Sequence, residues 1–173
     1  MLFKLIISLI IIGCSWMIGM IYANTYIERS KLLASMLSTM QMLETEIVYS
    51  GTPLPELLQK IAKKSRREIA KIFLLTAEIL NRKEGYLFNE AWEQAVKTET
   101  KNTSFTKEDI DLLISLGKNL GISDSKDQIK HIHLTMEEIK RSYELSIIEQ
   151  NKNVRLCRNF GFLIGITIVI IFF

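Results

Sequence analysis

Few residues in this 173-residue chain have the types and spacing that catalysis or metal binding requires. The nearest candidate is His131-Ile132-His133, but residues two positions apart on a helix point about 200° away from each other. These two histidines therefore cannot bind one ion as neighbours, whereas helical zinc pairs use a spacing of four. Asp109 and Asp111 have the same spacing and are better explained as the acidic start of a helix. We interpret all four residues as structural, and Glu137-Glu138 as part of a solvated face.

Motifs for nucleotide or nucleophile chemistry are also missing from the sequence. It has no Walker lysine motif, no G-x-G-x-x-G and no G-x-S-x-G. Its two cysteines, Cys14 and Cys157, are too few for a disulfide scaffold or a zinc cluster. The net charge of +3, from 22 basic and 19 acidic residues, is far below the excess typical of a nucleic-acid-binding protein of this size. We predict a non-enzymatic protein without a cofactor, a metal site or a nucleic-acid partner.

One group of charges, here called the basic cluster, stands out. Its six members lie within twelve residues and are opposed only by Glu68: Lys60, Lys63, Lys64, Arg66, Arg67 and Lys71. One interpretation is a solvated face at a turn between two helices. The other is a docking site for an acidic partner or for anionic lipid headgroups.

The N-terminal residues have the length and composition of a membrane span. Residues 5–22 carry no charge, and as a helix they would extend about 27 Å, close to the ~30 Å of a bilayer core. We predict a transmembrane helix over residues 1–23. Two alternatives are a cleaved signal peptide and a lipoprotein signal, since Ile11-Ile12-Gly13-Cys14 loosely fits a lipid-attachment box. No small-x-small cleavage site follows the apolar run, and the residues after Cys14 stay apolar, so we favour an uncleaved anchor.

The C-terminal residues are also uncharged, although the run is shorter. Residues 160–173 would extend only about 21 Å as a helix. Extension back to residue 154 gives 20 residues if Arg155 and Arg158 direct their charged groups toward the lipid headgroups. We predict a second transmembrane helix over residues 159–173, which leaves residues 24–158 as the domain between the two spans.

Small residues on both predicted spans suggest how the spans could pack. Gly161 and Gly165 form a G-x-x-x-G pattern, while Ser15, Gly19 and Ala23 share one face of the first span. Such faces allow helices in a membrane to approach closely. We expect these five residues to contribute to transmembrane helix packing.

Basic residues beside the spans predict the orientation in the membrane. Five of them lie on the side of the central domain: Arg29, Lys31, Lys152, Arg155 and Arg158. Only Lys4 lies on the other side. Because positive residues stay cytoplasmic, we expect the central domain to face the cytoplasm.

The central domain shows helical periodicity almost throughout, which predicts an all-α fold of six helices. The first should continue from the membrane to Ser50-Gly51, and the second should begin with Thr52 as cap and Pro53 at its first position. The third should end within residues 81–85. The remaining apolar positions predict three stripes: Phe88, Ala91, Trp92, Ala95 and Val96; Ile110, Leu113, Ile114 and Leu120; and Ile129, Ile132, Met136, Ile139, Tyr143 and Ile147.

Capping residues predict where the later helices begin and end. Thr106 and Asp109 have the spacing of a capping box at the start of the fifth helix. Gly121 should close that helix, and Ser123 or Asp124 should cap the sixth. No proline or glycine follows until Gly161, so the sixth helix should run directly into the second span.

The order and spacing of several short segments over nearly the whole chain resemble stage III sporulation protein AB of endospore-forming bacteria. These segments are Leu43-Glu44-Thr45-Glu46-Ile47-Val48-Tyr49, Thr52-Pro53-Leu54, Ile61-Ala62, Ala91-Trp92-Glu93, Leu120-Gly121-Ile122-Ser123-Asp124, Gln128, His131-Ile132 and Gly161-Phe162-Leu163. The soluble region of this family is similar to the cytoplasmic domain of the inner-membrane platform proteins of type II secretion and type IV pilus machines. The resemblance implies no catalytic residues.

The resemblance also implies a location and partners. It implies a protein of the mother-cell membrane around the forespore, needed for spore development. Its partners would be a sporulation ATPase, stage III sporulation protein AA, and other membrane proteins of the same transenvelope complex. The secretion platforms carry two copies of the helical domain, whereas this sequence has no internal repeat, so a homo-oligomer or further subunits would be needed. Our leading hypothesis is a membrane scaffold, and the alternative is a two-span adaptor that relays a signal.

Overall fold

The computed structural model describes residues 2–49, 52–82, 85–118, 120 and 125–172. Within these residues there are six helices and no strand. Their bounds are α1 Leu2–Tyr49, α2 Leu54–Ala62, α3 Arg67–Asn81, α4 Phe88–Glu99, α5 Lys107–Gly117 and α6 Ser125–Phe172. The predicted all-α class is therefore confirmed, as is the continuation of the sixth helix into the apolar C-terminal segment.

The chain divides into two compact units. Residues 31–144 form the first, here called the helical unit. The second, here called the span pair, consists of the chain up to Ser30 and from Leu145 onward. Residues 24–30 and 145–158, which the sequence analysis assigned to the central domain, thus group with the apolar ends.

Both terminal helices are long and apolar enough to cross a membrane. Only 11% of the most apolar stretch of each is buried within the chain. The core helix of a soluble protein would be mostly buried, so this exposure favours contact with lipid.

The core of the helical unit is built around Trp92 of α4, which is 1% exposed. The indole Nε1 donates a hydrogen bond to the backbone oxygen of Leu113 on α5, at 2.6 Å. The Phe73 ring of α3 meets the indole edge to face at a centroid distance of 5.2 Å, and Phe88 stacks on it at 5.9 Å. One side chain thus joins three successive helices, with its only polar atom satisfied.

Gly117, the last residue of α5, makes this arrangement possible. A Cβ atom built at this position would lie 2.5 Å from Cδ1 of Trp92. Any larger residue would displace either the indole or the end of α5. This glycine was not among the residues predicted from the sequence.

The predicted apolar stripes supply the rest of the core. Buried members occur on every helix: Leu33, Met36, Met40 and Leu43 on α1; Leu57, Leu58, Ile61 and Ala62 on α2; Ile69, Ile72 and Phe73 on α3; Ala91, Ala95 and Val96 on α4; Leu113 on α5; and Ile132 and Ile139 on α6. Their spacing of three and four residues explains why these segments fold as helices that cover one another.

Two predicted helix ends are wrong. The N-cap of α2 is Pro53, not Thr52, because Pro53 has the extended backbone of a cap and its carbonyl accepts from the amides of Glu56 and Leu57. Helix α5 ends at Gly117, four residues before Gly121.

The capping box of α5 is confirmed. Thr106 Oγ1 accepts from the Asp109 amide at 3.3 Å, and Asp109 Oδ2 accepts from the Thr106 amide at 3.0 Å. The other predicted caps and stops lie outside the described residues: Ser50-Gly51, Ser123 and Asp124.

Candidate functional site

The residues considered first as metal ligands have other roles. In the described part of the chain, no group of three or more histidine, cysteine, aspartate or glutamate side chains is placed to hold a metal ion. His133 is exposed, and its Nε2 lies 2.8 Å from Glu44 Oε1, whereas His131 is half-buried on another side of α6. Asp109 is a member of the capping box.

Part of the basic cluster is neutralised within the helical unit. Lys60 Nζ lies 2.8 Å from a carboxylate oxygen of Glu46 on α1, and Arg66 Nε lies 2.8 Å from Glu68 Oε2. These two cations therefore have local structural partners.

The other four cations of the basic cluster are exposed: Lys63, Lys64, Arg67 and Lys71. Among the described residues, none of the four forms an ion pair. We call these four residues the open cations, because their charges are exposed and available to a partner.

Three of the four open cations line two separate grooves of the helical unit. Lys64 lies with Lys60 in a groove beside Gln41 of α1. Arg67 and Lys71 line a polar groove with Glu99 and Asn102, at the end of α4. Lys64 and Arg67 thus line different grooves, and Lys63 lines neither of the two.

The span pair brings four of the five predicted packing residues together. Ser15 Oγ donates a hydrogen bond to the backbone oxygen of Gly161 at 2.7 Å. A Cβ at Gly19 would lie 2.6 Å from the Cys157 oxygen, and a Cβ at Gly161 would lie 2.9 Å from the Ser15 oxygen. A Cβ at Gly165 would lie 2.9 Å from Cα of Ile12.

These distances mean that the backbones of α1 and α6 touch where the glycines meet. Gly13 provides the contrast, because a Cβ there would meet nothing within 4 Å. Ala23, the fifth predicted residue, is 3% exposed.

Polar contacts join the two helices where the apolar segments end. Arg29 Nη1 lies 2.5 Å from Glu149 Oε2, and Ser30 Oγ donates a hydrogen bond to Gln150 Oε1. Arg29 was used in the sequence only to predict orientation, and its pairing with Glu149 was not predicted. The signal in the sequence was a basic residue shortly after the first predicted span and an acidic residue shortly before the second.

One exposed carboxyl of α4 has a shifted pKa. A hydrogen bond from Lys97 lowers the pKa of Glu93, and the positive charge of Lys97 acts in the same direction. The two side chains are 2.5 Å apart at i and i+4 on a solvated face. This pair is of the kind that supports an exposed helix and does not mark a reactive site.

Comparison with known proteins gives a consistent family assignment. The chain matches the family described as Stage III sporulation protein AB over residues 4–173. The chain belongs to this family. It is 30% identical over 162 residues to Stage III sporulation protein AB of Bacillus subtilis (strain 168), and this covers 94% of each chain.

A solved structure agrees with the assignment. The structure of a Stage III sporulation protein AB (SpoIIIAB) aligns with a TM-score of 0.67 and 30% sequence identity. It covers 72% of this chain and 98% of the solved chain. Family membership supports a role in sporulation, and the two apolar terminal helices support a location in a membrane.

Proposed function

We propose that this protein is a non-enzymatic membrane scaffold of a sporulation-specific transenvelope complex, and that its helical unit docks a cytosolic ATPase, stage III sporulation protein AA. Family membership supports the role in sporulation. The ATPase, and the need for the complex in forespore development, are what the resemblance to this family implies. Because the chain has one such domain where those platforms have two, it would act as a homo-oligomer or with other membrane subunits of the complex.

The observation that carries the docking proposal is the set of open cations. Lys63, Lys64, Arg67 and Lys71 repel one another and contribute little to folding. An acidic surface on a partner would relieve this repulsion, and it would also speed and orient the encounter. The polar groove beside Arg67 and Lys71 offers hydrogen-bonding groups next to two of these charges.

The placement of basic residues near the spans supports a cytoplasmic location for the helical unit. Arg29, Lys31, Lys152, Arg155 and Arg158 all lie on its side of the apolar segments, where the positive-inside rule places the cytoplasm. A cytosolic ATPase could then reach the open cations. In a sporulating cell, the membrane would be the mother-cell membrane around the forespore.

Charge reversal tests the docking surface. A variant with all four open cations changed to Glu should lose the ATPase in a cross-linked pull-down from sporulating cells, and wild-type binding should weaken as salt is raised. The matched control changes four other exposed lysines to Glu and should retain the ATPase: Lys101, Lys118, Lys130 and Lys140. Equal recovery of the ATPase with both variants would contradict docking at this surface. Weaker binding to anionic vesicles without loss of the ATPase would instead assign the cluster to lipid.

Thiol labelling tests the orientation. In a chain with Cys14 and Cys157 changed to Ser and expressed in vegetative cells, Asn102→Cys should react with a membrane-impermeant reagent only after lysis. Asn102 is exposed on the helical unit. Phe172→Cys, at the far end of α6, is the control and should react in intact cells. Labelling of position 102 in intact cells would place the helical unit outside and exclude a cytosolic ATPase.

The continuity of the two long helices favours a second candidate, a two-span adaptor that relays a signal. Helices α1 and α6 each run without interruption for 48 residues, from an apolar end into the helical unit. A scaffold should co-purify with the same subunits in constant proportion throughout stage III. An adaptor should capture its partner only under a stimulus, so a time course of the pull-down distinguishes the two.

A further inference from the structure

An open groove of about 660 Å³ runs along α6 within the span pair. On α6 its lining extends from Gln150 to Leu163, and α1 contributes Trp16. At ~1.5 Å per residue this part of α6 is roughly 20 Å long. None of its lining residues is a glycine of the helix contact or a member of the basic cluster.

One end of the groove is rich in hydrogen-bond donors. Arg155 and Arg158 line it together with the side-chain amides of Asn151 and Asn159. The described lining includes no carboxylate, and within the described chain neither arginine forms an ion pair. Two guanidinium groups with amide donors beside them match the oxygens of a phosphate.

Neighbouring polar contacts keep this end positive. Glu149 precedes the groove on α6, but its carboxylate lies against Arg29. Gln150 also lines the groove, and its side-chain oxygen lies beside Ser30 Oγ. The nearest acid on α6 is thus paired with Arg29.

The other end of the groove is apolar and exposed. Phe162, Leu163 and Trp16 line it and are 49%, 55% and 43% exposed. Phe162 lies one helical turn beyond Arg158. Trp16 lies six residues before Tyr22 in the apolar part of α1, and this separation corresponds to about 9 Å of helix. In a bilayer the arginines would therefore lie near the headgroups, and the aromatic rings would lie among the acyl chains.

We propose that this groove binds one anionic phospholipid from the leaflet on the side of the helical unit. Its phosphate would contact Arg155 and Arg158, and one acyl chain would follow Phe162 and Leu163 toward Trp16. The continuous apolar wall identifies a lipid, and not free phosphate, as the ligand, because phosphate would leave that wall without a contact. Basic pockets at the ends of membrane helices recognise anionic headgroups in this way.

Trp16 provides a local reporter for the test. Full-length protein is reconstituted in phosphatidylcholine vesicles that contain the same fraction of either brominated phosphatidylcholine or brominated phosphatidylglycerol. Bromine quenches the fluorescence of an indole that it contacts, so quenching by either brominated lipid reports whether that lipid reaches Trp16. Trp92 is 1% exposed in the core of the helical unit and supplies a constant background. We expect several-fold stronger quenching by brominated phosphatidylglycerol.

Single substitutions on α6 distinguish a specific phosphate-binding site from a general attraction between basic residues and anionic lipid. Arg155→Gln and Arg158→Gln should each lower the relative affinity for phosphatidylglycerol about tenfold, the effect of losing a hydrogen bond to a charged group. Lys152→Gln is the matched control, because it removes the same charge from the same stretch of α6 outside the groove. It should change the relative affinity less than twofold.

Two further experiments test whether the ligand is a lipid. Phe162→Ala should weaken quenching by both brominated lipids, whereas Phe160→Ala, which lines a different groove, should not. Excess inorganic phosphate should leave the quenching unchanged. Equal quenching by the two lipids, no quenching by either, an equal effect of Lys152→Gln, or displacement by inorganic phosphate would each overturn the proposal.

Discussion

The helical unit and the span pair hold their helices together by different contacts. In the helical unit, large side chains fill the space between helices, and Trp92 contacts Phe73, Phe88 and the end of α5. In the span pair, the helices meet through Gly19 and Gly161, where backbone atoms touch. The difference follows from the surroundings that suit each unit, which are water for the helical unit and a lipid bilayer for the span pair.

Water provides a reason to bury large apolar side chains, and a lipid bilayer does not. Burial of apolar area drives association in the helical unit. Between helices in lipid, the attraction comes instead from close van der Waals contact and interhelical hydrogen bonds. Large side chains of the span pair, such as Leu9 and Ile170, are accordingly exposed. This comparison predicts that substitutions in the two units will have different sizes and different readouts.

The largest expected effect is in the core of the helical unit. We expect residues 24–158 to fold as a soluble, mostly helical domain, since the core of residues 31–144 is closed without the apolar ends. In this fragment, Trp92→Ala should lower the free energy of unfolding by ~3–5 kcal/mol because it leaves a cavity between three helices. Denaturant unfolding followed by circular dichroism measures this loss.

Two control variants help to interpret the loss of stability expected for Trp92→Ala. Trp92→Phe keeps an aromatic ring but loses the donor to Leu113, so it should cost less than the alanine variant. Leu74→Ala, at a position that is 47% exposed, should change stability by about 0.5 kcal/mol or less. A loss below about 1 kcal/mol for Trp92→Ala would contradict its role as the centre of the core.

A second prediction concerns the glycine under Trp92. Gly117→Ala in the same fragment should cost ~1–3 kcal/mol, because the new Cβ would lie 2.5 Å from the indole and the buried ring has little room to move. Gly85→Ala is not a suitable control, since Gly85 has a φ of 83° that strains any other residue. Unchanged stability of Gly117→Ala would show that α5 can shift away from Trp92 without a loss of stability.

These two positions show how far the sequence predicted the helical unit. Trp92 was identified as a stripe residue from its spacing to Phe88 and Val96, because helical periodicity is a local property. Gly117 was missed because its role depends on a contact with α4, which spacing along α5 does not reveal. For the same reason, the basic cluster was predicted as one surface, although Lys64 and Arg67 line different grooves.

In the span pair, the small residues of the helix contact could be predicted from the sequence, but the polar contacts could not. Small residues favour a helix contact by composition alone, so Gly19 and Gly161 could be predicted as packing residues without knowledge of their partners. The ion pair of Arg29 and Glu149 was not found, because it depends on the register of two helices that are 120 residues apart in sequence. Periodicity predicted each helix, whereas register between helices required the structure.

A third prediction separates the two kinds of contact. Gly161→Ala should push α1 and α6 apart, because its Cβ would lie 2.9 Å from a backbone oxygen and backbone cannot move aside as a side chain can. Gly13→Ala is the matched control and should have no effect, since nothing lies within 4 Å of its Cβ. Spin labels at the exposed positions Ile6 and Ile170 report the distance between the spans by pulsed electron paramagnetic resonance in vesicles. A longer distance in both variants, or in neither, would contradict the glycine contact.

The smallest expected effect concerns a hydrogen bond between the apolar parts of α1 and α6, from Ser15 Oγ to the backbone oxygen of Gly161. Bonds between membrane helices contribute only ~0.6 kcal/mol on average, so Ser15→Ala should raise the population of separated spans roughly threefold. Ser8→Ala is the control, because Ser8 donates within its own helix to the Lys4 oxygen at 2.9 Å. With the same spin labels, Ser15→Ala should broaden the distance distribution without moving its maximum, since the glycines still set the closest approach. A shift of the maximum as large as that of Gly161→Ala would mean that the hydrogen bond, and not the glycine contact, determines how close the spans lie.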